Sequence, residues 1–153
     1  MKPPTKRKKK VKNLVNPKFK KFVKECIWKY AKCLDTPWHM GDIRYMTLDE
    51  QIPDKPDFTI HASVTIDHRY LTADYTIYPA LYTKWLKSPE LAAEDLAHEV
   101  AHIVTHNLHW IATCNYKTES EVNDIWEQTT EIVGRLLYNY EKLNAKKKKV
   151  KSE

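Results

Sequence analysis

In the stretch Asp95-Leu-Ala-His98-Glu99-Val-Ala-His102-Ile-Val-Thr-His106, two histidines stand four residues apart, with a glutamate directly after the first. Residues four apart on a helix lie one above the other, so the imidazoles of His98 and His102 can converge on one ion. Glu99 lies roughly 100° around from His98, within reach of a water held by that ion. Residue types in this order permit metal-assisted hydrolysis, with Zn2+ as the ion and Glu99 as general base.

Two nitrogens leave zinc short, because catalytic sites usually combine three protein ligands with a water. The acidic candidates downstream are Glu119, Glu121, Glu127 and Glu131. His106 continues the histidine face but stands about 6 Å beyond His102 by helical rise, which suits supporting polar surface better than a shared ion. Suppose the motif helix ends near His109 and the next helix starts near Thr118 and returns antiparallel. Residues 125–127 then stand level with the ion, which favours Glu127. Glu121 flanks the main apolar stripe and becomes level if the motif helix ends a turn earlier, so it stays as the alternative. Thr130 and Gly134 continue the Glu127 face; both are small, and close helix contact is a reason for a mid-helix glycine that otherwise costs about 1 kcal/mol. Asp95, one turn before His98, is either a solvated helix acid or a group that orients an imidazole. Tyr78, Tyr82, Tyr138 and His106 are the candidates for stabilising an oxyanion.

The motif His98-Glu99-Val100-Ala101-His102, in mid-helix after a short sheet and before a Glu-rich helix, resembles the zincin metallopeptidases. The closest type is the gluzincin, whose third ligand is a glutamate from the following helix. The segment Glu127–Leu137 is similar to the ligand helix of short phage-type zincin-like proteins, whereas Glu121-Val-Asn-Asp-Ile-Trp126 resembles that of ImmA/IrrE-type peptidases. No metzincin extension follows His102, and the later His-Gly motif of SprT-like proteases is missing. The resemblance implies a zinc peptidase of protein or peptide substrates, with His98, His102 and Glu127 on the metal and Glu99 as base. The competing expectation is a non-catalytic zincin-like module, docked on nucleic acid or a protein partner through basic arms.

The elements that must position these residues can be read from periodicity. Asn16-Pro17 is a helix start, and Phe19, Val23, Ile27, Tyr30 and Leu34 recur at helical spacing over 17–34. From Gly41 to Tyr78 the period moves towards two, giving strands around Ile43–Thr47, Phe58–Ile66 and Thr72–Tyr78. Short connections favour a three-stranded antiparallel sheet, with Thr72–Tyr78 as the edge on which an extended peptide pairs. His61 and His68 read as ordinary strand or turn residues. Ser88-Pro89-Glu90 starts the motif helix, and Thr118 with Glu121 forms a capping box for the last one. The expected fold is α+β: an N-terminal helix, a small sheet, the motif helix and a C-terminal ligand-bearing helix.

Charge is segregated along the chain. Residues 1–24 carry eleven Lys/Arg and no acid, and 142–153 carry six Lys with one acid, leaving a body of nine basic against nineteen acidic residues. Residues 1–15 and 142–153 therefore read as disordered basic arms around a domain over 16–141. Such arms gain from releasing counterions on phosphate backbones, which makes nucleic acid a candidate partner. No apolar run approaches the roughly 18 residues of a membrane span, and no apolar segment follows the basic N-terminus. Three cysteines without a C-x-x-C pair point to a reducing compartment, with Cys26 and Cys33 as buried small hydrophobes. The expected location is cytoplasmic, the host cytoplasm if the protein is viral.

Overall fold

Asn16 opens the first helix: its side-chain oxygen accepts the Lys18 backbone N–H at 2.9 Å, and Pro17 follows in the first helical position. The computed structural model describes residues 16–34, 38–47, 59–67, 70–115 and 119–150. In these, α1 (Pro17–Cys33), β1 (His39–Tyr45), β2 (Ala62–Asp67), β3 (Thr72–Ile77), α2 (Pro79–Lys87), α3 (Pro89–Asn115) and α4 (Glu119–Val150) succeed one another. The architecture is α+β, as the alternation of periods predicts. Among the described residues no helix is long and apolar enough to cross a membrane.

The sheet is mixed rather than antiparallel. Its order is β1-β3-β2, with β3 antiparallel to β2 and parallel to β1. Short spacing correctly implied antiparallel pairing of β2 with β3. It could not reveal that β1 docks on the far side of β3, to which it runs parallel because β2, lying between them in the chain, returns the direction. β3 is therefore central, not the edge, and its Ala73, Tyr75 and Ile77 are buried. β2 is the edge strand on the other flank. His61 O accepts the Tyr78 N–H at 3.1 Å. The alternation of an antiparallel ladder then turns the backbone groups of Ala62, Val64 and Ile66 outward.

The periodicity of the sequence gives no sign of α2. Pro79 does end β3, but it also stands at the first position of a helix, where its missing N–H leaves no bond unmade. Buried Leu81 joins Leu96 and Val100 of α3 and Phe19, Val23 and Ile27 of α1 in one core. Rings reinforce the junction, with Phe19 5.1 Å from Tyr82 and 5.3 Å from Trp85.

α3 is the central helix, packed against α1, α2, β2 and α4. It begins as the sequence suggests, with the Leu91 N–H on Ser88 Oγ at 3.4 Å, but continues to Asn115 rather than ending near His109. α4 likewise runs through Lys146–Lys149 to Val150, beyond residue 141, where the sequence reads as a solvated tail. Lysine is a good helix former, and cations in the last turns suit the helix dipole. The arm over 1–15, His68 and the Thr118 cap lie outside the described residues.

Candidate metal centre

α3 and α4 run antiparallel and touch closely. Contacts pass from Gly134 and Glu131 at His98, through Thr130 at His102, to Asn123 at His109. Gly134 makes the approach possible: a Cβ there would lie 2.8 Å from His98 Cα and 3.0 Å from His98 N. The close contact inferred from the small residues at 130 and 134 is present.

This packing delivers Glu127 to the histidines. Its carboxylate lies 3.3 Å from His98 Nε2 and 3.8 Å from His102 Nε2. Glu99 completes the cluster, since ligand atoms of His98, Glu99 and His102 all fall within 4.8 Å of one another. The other nitrogen of each ring is engaged elsewhere. His98 Nδ1 lies 3.0 Å from Glu131 Oε2. Burial pushes the Glu131 carboxyl up, but hydrogen bonds and charges from Arg135 and His98 outweigh it and hold the group below its ordinary value. An ionised carboxylate only accepts, so in the neutral ring His98 carries its proton on Nδ1 and bares Nε2.

His102 is reached through hydroxyls. Its Nδ1 lies 3.4 Å from Thr130 Oγ1, which is 2.7 Å from Thr105 Oγ1. Thr105 Oγ1 also takes the Trp126 indole N–H at 3.0 Å and donates to Ala101 O at 3.3 Å. With protons running from His102 Nδ1 to Thr130, to Thr105 and on to that carbonyl, every donor is used and His102 Nε2 is bare. Burial, followed by the charges of His98, His106 and His109, pushes His102 down to about 3, so its ring is neutral.

Two bare imidazole nitrogens thus lie within 4 Å of the Glu127 carboxylate, with Glu99 in one compact group with the two rings, a donor set that suits zinc. The electrostatics agree: burial pushes Glu99 up to about 8, the Glu127 and Asp95 carboxylates add to the rise, and a hydrogen bond from the Val64 N–H opposes it. A cation among these groups would relieve the repulsion between carboxylates. The residues fit the ion.

The site opens into a cleft beside β2. A cavity of about 340 Å³ on one side is lined by Ile60, Val64, Ile66, His106, Trp126 and Glu127, with His98, Glu99 and His102 at its wall. A second, of about 250 Å³, shares His98 and Glu99 and adds His61, Asp95, Glu131 and Arg135.

Of the residues singled out by sequence, His98, Glu99, His102 and Glu127 come together. Glu131 serves the back of His98 instead of the shared point. The side chain of Glu121 lies outside the described residues. Asp95 does not reach His98: its carboxylate holds Lys84 Nζ at 2.7 and 2.8 Å and His61 Nδ1 at 3.1 Å. Of the four oxyanion candidates His106 lines the cleft, whereas Tyr78, Tyr82 and Tyr138 line neither cavity. His61, read as an ordinary strand residue, turns into the second cavity on its Asp95 partner. No local signal marks it, because the partner is 34 positions away.

Comparison with protein-family models, curated proteins and solved structures found no match to this chain.

Proposed function

We propose that the chain is a zinc-dependent peptidase in which His98, His102 and Glu127 hold one Zn2+ and Glu99 is the general base. The reading rests on one observation above all, the convergence of both Nε2 atoms on Glu127 with Glu99 alongside. When bound, the ion supplies a Lewis acid that polarises a carbonyl and acidifies water. Glu99 takes the proton of the attacking water and returns it to the departing amine. The Val64 N–H ties that carboxylate to the edge of β2, where a peptide in extended form can pair with the outward groups of Ala62 and Ile66. Ionised Asp95 keeps a proton on His61 Nδ1 and fixes the ring beside the cleft. Ile60, Ile66 and Trp126 give the larger cavity an apolar wall, which favours a substrate with a large apolar side chain near the cleaved bond.

The test pairs zinc analysis with cleavage of casein. Wild type should carry about one zinc per chain and cleave, Glu99→Gln should keep the zinc and lose cleavage, and Glu127→Ala should lose both. Unchanged cleavage by Glu99→Gln, or a wild-type chain that takes up no zinc, would refute the reading.

A further inference from the structure

α4 has a second apolar face that nothing among the described residues covers. Ile125, Ile132, Leu136, Tyr140 and Leu143 are 52%, 61%, 64%, 57% and 58% exposed. At about 100° per residue these five fall within roughly 80° of arc. Thr130, Gly134 and Leu137 on the other side of the helix are buried. Glu127 and Glu131 project roughly 140–180° away from the row, so covering it leaves the cleft open. Five large side chains in one row present on the order of 500 Å² of apolar surface, at the upper end of what a monomer exposes.

Four of the five residues complement one another. Ile132 stands two residues before Gly134 and Leu136 two after it, while Ile125 stands nine before and Leu143 nine after. Two copies of α4 laid antiparallel, with a two-fold axis at Gly134, therefore set Ile132 against Leu136 and Ile125 against Leu143. The steps of seven, four and seven between these residues are those of a two-helix seam. Charge selects the same direction. Glu119, Glu121 and Asp124 occupy the first turns of the helix and Lys142 and Lys146–Lys149 the last, while Glu131 and Arg135 between them hold each other at 2.7 Å. The one acid of the later part, Glu141, is held by Lys29 at 3.2 Å. Antiparallel copies place the acidic part of one beside the basic part of the other, whereas parallel copies stack like on like.

We propose that the outer face of α4 is the seam of an antiparallel homodimer, with a second copy of this chain as its occupant. The contact is isologous and closes on itself. Two such faces bring together about 1,000 Å², the lower bound for a specific interface. The inference is independent of the metal: it concerns the opposite face of α4.

Sedimentation of the full chain at tens of micromolar tests it. The expected mass is twice 18.1 kDa for wild type and 18.1 kDa for Leu136→Glu and for Ile132→Glu. Both positions are exposed, so circular dichroism should show unchanged helix content. Cysteine cross-linking, in a chain whose Cys26, Cys33 and Cys114 are Ala, reads the direction. Ile125→Cys together with Leu143→Cys should form an intermolecular disulfide, and Ile125→Cys alone should not. A monomeric wild type overturns the proposal, whether the face is bare, covered by another part of the same chain or reserved for a different protein. So does a dimer that survives both Glu substitutions, or one that cross-links through Ile125→Cys alone.

Discussion

Gly134→Ala isolates the contact on which the proposed metal centre depends. The added Cβ would meet His98 Cα at 2.8 Å, His98 N at 3.0 Å and Ala97 C at 3.3 Å, all backbone atoms of α3 that no rotamer change can move. Carbon atoms settle about 3.5–4.0 Å apart, so the helices must separate locally by roughly 0.7 Å. Overpacking of this kind costs about 1–3 kcal/mol. Alanine recovers about 1 kcal/mol over glycine in mid-helix, leaving a net loss of about 0–2 kcal/mol. In a chain of this size that lowers Tm by up to about 8 °C. The effect on metal should be the larger signature. Glu131 and Glu127 lie one and two turns before Gly134 on the same helix and move with it, so zinc affinity should fall about 10- to 100-fold, as for other losses of ligand support. Thermal melts and competition with a chromophoric chelator measure the two effects. Asn139→Ala, on an exposed turn of the same helix, gives the propensity gain without the clash. If Gly134→Ala melted as high as Asn139→Ala and bound zinc as tightly as wild type, the argument that α3 and α4 meet too closely for a Cβ would be wrong.

Glu131→Gln should leave the fold intact and weaken zinc about 10-fold in the same competition assay. A neutral amide is a poorer acceptor for His98 Nδ1–H than a carboxylate 3.0 Å away. Asp95→Asn should lower the urea midpoint at pH 7 by the equivalent of about 1–3 kcal/mol, because Lys84 and His61 lose their partner. Burial raises the Asp95 carboxyl, but His61 and Lys84 outweigh it and hold the group below 3.8. Its contribution is therefore present in full above that ordinary value and lost as pH falls through the lower folded one. The gap between wild type and Asp95→Asn should accordingly narrow below about pH 4, and a gap that widened there would contradict the assignment. Leu81→Ala, at a wholly buried position, should cost about 2–5 kcal/mol in chemical denaturation, which tests whether α2 belongs to the core.

Local grammar made much of this molecule legible in its sequence. Asn16-Pro17 and Ser88-Pro89 start helices because capping and a fixed proline φ act within one turn. His98, Glu99 and His102 share a helix face whatever surrounds them. Glu127 was reachable because two antiparallel helices advance by the same rise per residue. Pro79 shows the limit of such signals, for the residue that stops β3 also starts α2. What the sequence left open depends on which distant segments meet. β1 joins β3 on the side away from β2, so the edge beside Glu99 is Val64 rather than Tyr75. Asp95 turns to Lys84 and His61 instead of His98, and Glu131 takes the back of the His98 ring while Glu127 takes the front. Each of these outcomes is a choice among partners far apart in the chain, and packing three helices and a sheet around α3 makes that choice.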